Sequence, residues 1–146
     1  MNRSRERAFE ILRTYLRNIE DMEFIRSVIL VGSLSDGTYT GNAGSDIDLI
    51  HIISDEYDYY KGKKQIFELT GQTERETGND IPIARCVYGE RHLKKPYLWD
   101  FELSAENKDL MQLPVEVLRI LDSGVTVYGE DMTVGIEAPE REDVKM

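Results

Sequence analysis

The chain has 146 residues, of which 40% are hydrophobic and 32% charged, and a formal net charge of −10. That length predicts one compact domain with a real core, and Cys86, the one cysteine, excludes an intramolecular disulfide and reads as an inert thiol in an apolar stretch. So acidic a chain lacks the Lys and Arg footprint for long DNA or RNA, its two histidines and one cysteine argue against zinc, and it has no membrane-length apolar run or signal-like start, so the expected place is the cytoplasm.

From about Glu6 to Met22, Phe9, Leu12, Tyr15, Leu16, Ile19 and Met22 recur at helical spacing, which predicts an amphipathic helix. Ser27 to Val31 is a β-branched run ending at Gly32 and predicts a strand buried on both faces. Ser33 to Ser45 is rich in Gly, Ser, Thr and Asn and predicts a turn and loop whose start could be helical. Asp46 to Ile53 predicts a second strand, and Glu56 to Glu76 a helix that Gly62 and Gly71 weaken. Ile81 to Tyr88 and Tyr97 to Leu103 predict two further strands. Asn107 to Asp122 is helical in pattern, with Pro114 marking a candidate true start and Gly124 a candidate cap. Val125 to Tyr128 predicts a last short strand, and 132–146 an acidic, loosely attached tail after a domain spanning 1–131. The order suggests an α/β (α+β) sandwich, a mixed central sheet flanked by helices.

The chemistry concentrates in Val31-Gly32-Ser33, the glycine-rich loop, and Ser45-Asp46-Ile47-Asp48-Leu49. Strand side chains alternate, so Asp46 and Asp48 share one face while Ile47 and Leu49 enter a core. Two adjacent carboxylates repel unless a cation lies between them, and Mg²⁺ is the hard cation that suits oxygen donors. Gly32 allows backbone N–H groups to approach a phosphate, and the Ser33 hydroxyl adds a donor. Either piece alone is weak, since a Gly-Ser is mostly a turn and a lone Asp-x-Asp mostly a solvated strand face. The combination is stronger.

Strand, Gly-Ser, a loop and Ser-Asp-x-Asp before a hydrophobic run resemble the nucleotidyltransferase superfamily that includes DNA polymerase beta, in particular its minimal members. The resemblance covers about Val28 to Asp131, including a closing segment Ile120 to Asp131 with its helix, glycine and Val127-Tyr128-Gly129. It implies a nucleotidyltransferase-like fold and an adenylyltransferase-like enzyme. Such an enzyme moves a nucleoside monophosphate, AMP from ATP or that of another NTP, onto a hydroxyl and releases pyrophosphate. It implies Asp46, Asp48 and a third carboxylate from a later strand as catalytic and as ligands of Mg²⁺ (or Mn²⁺). Asp100 fills the third place early in its strand, with Glu102 as the rival on the same face. Gly32, Ser33, Gly37 and Ser45 are implied as nucleotide-binding. The implied acceptor is a small molecule or a protein side chain, and a helical partner protein or a homodimer could complete the site.

Asp36 stands where the family commonly has an arginine, so positive charge would have to come from elsewhere. Lys94, Lys95, Arg85 and Arg91 are the candidates. The alternative reading is a catalytically inactive domain that binds a nucleotide or a partner protein, antitoxin-like. His51 reads as a core histidine, His92 as a loop residue without a specific role, and Tyr57, Tyr59 and Tyr60 as packing or surface residues.

Overall fold

The computed structural model describes residues 2–42, 44–93 and 113–136. Helix α1 (Arg5–Ile19) starts at Ser4, whose hydroxyl accepts the Arg7 N–H and satisfies one of the unpaired donors of a first turn. Strand β1 (Ile25–Val31) follows, then a single helical turn, α2 (Ser33–Asp36). Strand β2 (Ile47–Ile53) leads to helix α3 (Tyr59–Glu76), capped by the Asp58 carboxylate on the Lys61 N–H. Strand β3 (Ile83–Gly89) runs into a 3-10 turn at Glu90–Leu93. Helix α4 (Leu113–Ser123) and strand β4 (Val125–Gly129) close the described chain, and Pro114 is the second residue of its helix. The strand expected over Tyr97 to Leu103, with Trp99, lies outside the described residues.

The sheet order is β3-β2-β1-β4. β1 is antiparallel to both β2 and β4, and β2 is parallel to β3, so the sheet is mixed. Alternation along each strand separates two cores. One face carries Val28, Leu30, Ile47, Leu49 and Val87 against α1 and α3. The other carries Ile29, Val31, Ile50, Ile52 and Tyr88 against Val117 and Ile120 of α4. β1 is therefore buried on both sides, and its β-branched run follows from that burial. No helix among the described residues is long and apolar enough to cross a membrane.

Gly62 lies inside α3 because a β-carbon there would come within 3.0 Å of Ile53 and 3.2 Å of Phe24. Close helix–sheet packing, not helix propensity, places it. Met132 and Ile136 pack against the core under α4. His51 is fully buried: its Nδ1 lies 3.2 Å from the Cys86 carbonyl and its Nε2 2.6 Å from the Tyr15 hydroxyl. A carbonyl only accepts, so Nδ1 carries the proton and Tyr15 donates to Nε2. Burial lowers the His51 pKa to about 4, which keeps the ring neutral. His92 differs from its expected loop role. It is fully buried, and its Nδ1 accepts the Gly89 N–H at 2.9 Å, pinning the turn after β3. Tyr59 is buried and donates to the Val87 carbonyl, Tyr57 stacks on Phe24, and Tyr60 is exposed, as a packing role requires. Cys86 is half-buried at the margin of the α4-side core.

Candidate active site

The antiparallel register pairs Val31 with Asp48, which sets the glycine turn after β1 beside the carboxylates at the start of β2. Asp48 shares the face of Ile50 and Ile52, the face that α4 covers. Ile47 and Leu49 are buried against α1 and α3 as the alternation requires. Asp46 immediately precedes β2, and both aspartates are half-buried.

Gly32 has φ of 79°, in the left-handed region that disfavours side chains. A β-carbon there would stand 2.4 Å from Asp48 Oδ2. The absent side chain is what admits the carboxylate to the turn. Behind it the Ser35 and Asp36 N–H groups return to the Gly32 carbonyl at 3.1 and 3.0 Å, closing α2. Gly37, at φ of 87°, ends this turn and donates to the Ser33 carbonyl at 3.1 Å. The Ser35 hydroxyl donates to the Ser123 carbonyl and ties the turn to the end of α4. Ser45 is held from both sides: its N–H donates to the Asn42 carbonyl at 2.8 Å, and its own carbonyl accepts from Arg3 at 3.3 Å.

Burial raises the pKa of Asp48, with Asp46 adding to the rise and Arg119 opposing it. Asp36 behaves differently. It is exposed and accepts from the Thr38 hydroxyl (2.6 Å) and N–H (2.9 Å), which lower its pKa. It thus serves the local turn and offers nothing to an anion.

Two residues of α4 belong to this site and were not singled out from sequence. Arg119 Nη2 lies 3.4 Å from Asp48 Oδ2 and 2.9 Å from the place of a Gly32 β-carbon. Its Nη1 donates to both oxygens of Glu116, at 3.2 and 3.1 Å. Glu116 is 7% exposed, and burial raises its pKa against the pull of Arg119. An i,i+3 pair of this kind resembles any surface ion pair in sequence; only the apolar spacing of Val117 and Ile120 could have signalled that its helix faces the site. Of the cations expected there, the two that are described lie elsewhere. Arg85 stacks on Phe67 at 4.2 Å, and Arg91 pairs with Asp55 beyond the far end of β2. Lys94, Lys95, Asp100 and Glu102 lie outside the described residues.

Among the described residues no group of three or more His, Cys, Asp or Glu is placed to hold a metal. Asp46 and Asp48 still suit a hard divalent cation as part of a donor set. They are oxygen donors on adjacent alternate positions, and the missing Gly32 β-carbon leaves the Asp48 carboxylate open to the turn.

No protein-family profile matches this sequence, and no curated protein matches it. Solved structures do resemble it. Spectinomycin adenyltransferase AAD(9) from Enterococcus faecialis, crystallised with ATP and spectinomycin, superposes with a TM-score of 0.59 at 13% identity, over 90% of this chain and 60% of that one. The chain therefore spans less than two thirds of that protein. A mutant of the toxin-antitoxin MntA-HpeT gives 0.45 at 16% identity, over 88% of this chain and 75% of that one. A toxin-antitoxin with AMP-PNP gives 0.43 at 19% identity, over the same shares. The α+β architecture, a mixed four-stranded sheet flanked by helices, is the nucleotidyltransferase fold.

Proposed function

We propose that this protein transfers a nucleoside monophosphate, AMP from ATP, to a hydroxyl group of an acceptor. The observation that carries the reading is the close approach of Gly32 and Asp48, one residue from each motif of the sequence. In the proposed reaction the acceptor oxygen attacks the α-phosphorus. The bond from the α-phosphorus to its bridging oxygen breaks, and pyrophosphate leaves. Mg²⁺, when bound by Asp46 and Asp48, would neutralise charge on the triphosphate. Gly32 and Ser33 would hold phosphate oxygens through the backbone and hydroxyl, with Gly37 and Ser45 shaping the loop around them. Asp100 is the residue proposed to complete the carboxylate set and to receive the proton of the attacking hydroxyl. Most of the work would be positioning and charge compensation.

The fold-level neighbour crystallised with ATP and spectinomycin supports a small hydroxylated acceptor as the first class to test. The test uses ATP labelled at the α- or at the γ-phosphate, with spectinomycin and other polyhydroxylated amines as acceptors. Transfer of the α-label with release of pyrophosphate is expected. Transfer of the γ-label would replace this reading with phosphoryl transfer.

A further inference from the structure

A nucleoside triphosphate brings several negative charges to a site whose own loop side chains are acidic or neutral. Asp46 and Asp48 are carboxylates, and Asp36 is engaged by Thr38. Arg3 is engaged with the Ser45 carbonyl. Arg119 arrives from α4 and lies over the glycine turn, where an anion entering along Gly32 would meet it.

We propose that Arg119 is a polyphosphate-binding residue of this site and exchanges partners when the nucleotide binds, an inference that rests on the nucleotidyl-transfer reading. Its two contacts are unequal. Toward Glu116 it makes two hydrogen bonds to a carboxylate that is almost wholly buried, an anchor that fixes the guanidinium plane. Toward Asp48 it makes one contact of 3.4 Å, long for a charge-assisted hydrogen bond. The side chain is 37% exposed and so can be reached from solvent. A guanidinium has five N–H donors in a fixed fork that suits phosphate oxygens, and Glu116 engages one end of it.

Before nucleotide binds, Arg119 is thus the internal counter-ion of Asp48. With Asp48 engaged as a ligand of a divalent cation, the Nη2 edge of Arg119 would be released to the phosphate oxygens while Glu116 keeps its hold. The positive charge that the family places in the loop here comes from the closing helix.

The full chain is tested as wild type, Arg119→Gln and Arg119→Lys. Mn²⁺ binding is read alone by electron paramagnetic resonance; ATP and inorganic tripolyphosphate binding are read with saturating Mg²⁺. Loss of one charged phosphate contact predicts about tenfold or weaker binding of both polyphosphates in Arg119→Gln. Mn²⁺ alone should bind more tightly, since Asp48 has lost its counter-ion. Arg119→Lys should recover part of the polyphosphate affinity. A residue that only supports Asp48 would weaken Mn²⁺ and ATP together, and that result overturns the proposal, as does unchanged ATP affinity. Failure of the wild type to bind either ATP or Mn²⁺ would sink the nucleotidyl-transfer reading itself and the proposal with it. Cooperative thermal unfolding well above the assay temperature in all three proteins establishes that the comparison is between folded chains.

Discussion

Asp48 reaches the turn after β1 because Gly32 has no β-carbon: the atom would lie 2.4 Å from the Asp48 carboxylate. Gly32→Ala meets this clash and also strains a backbone at φ of 79°. The strain alone costs roughly 1–2 kcal/mol. The variant should lose at least that much stability in urea unfolding and bind Mg²⁺–ATP more weakly. Retention of both properties would remove the glycine from the account.

Asp48→Asn and Asp46→Asn separate function from folding. Burial already disfavours the charged form of Asp48, so neutralising it should change stability by no more than about 1 kcal/mol. Nucleotide transfer should fall by about a hundredfold or more. Equal rates in wild type and either variant would contradict the metal-binding role.

His51 gives the fold a defined acid sensitivity. Its folded-state pKa of about 4 lies below the 6.5 of the exposed ring. The unfolded chain therefore takes up the proton first. The stability carried by the neutral ring is complete above pH 6.5 and is lost as the pH falls toward 4. The full loss is roughly 3 kcal/mol. His51→Gln removes the titration, so its stability should fall less steeply over that range than the wild type's. Parallel pH profiles would refute the buried, neutral assignment.

The two glycines of α3 should respond in opposite directions to alanine. At Gly71 a β-carbon meets only the end of the flexible Arg75 side chain, at 3.4 Å. Gly71→Ala should gain about 0.5–1 kcal/mol from helix propensity and a stiffer unfolded chain. At Gly62 the same gain is opposed by Ile53, which is buried, and by Phe24, which is stacked on Tyr57 and cannot retreat. Overpacking of this kind costs about 1–3 kcal/mol, so Gly62→Ala should destabilise. Thermal midpoints of the two variants decide it.

The legible parts of this protein were those whose physics is local. Alternation along β2 placed Ile47 and Leu49 in the core and Asp48 on the other face, and the packing and register bear this out; Asp46 immediately precedes the strand. Gly32 marked the end of β1 because a turn there needs its backbone freedom. What sequence could not supply was proximity. Arg119 is 71 positions from Asp48, and its spacing from Glu116 reads as an ordinary surface pair. Only the packing of Val117 and Ile120 against the sheet turns that helix toward the carboxylates. His92 was missed for a related reason: it sits in a run of charged residues, Glu90, Arg91, Lys94 and Lys95, broken only by Leu93, and its burial involves elements distant in sequence, including a ring contact with Tyr59.

The proposed function requires Asp46, Asp48 and the Gly32 turn to form one metal–nucleotide site. Calorimetric titration of ATP into wild type and Asp48→Asn, with Mg²⁺ or with EDTA, tests it most directly. Binding by the wild type is expected to require Mg²⁺ and to be lost in Asp48→Asn. ATP binding that is equally strong in EDTA, or that survives unchanged in Asp48→Asn, would contradict the proposed function.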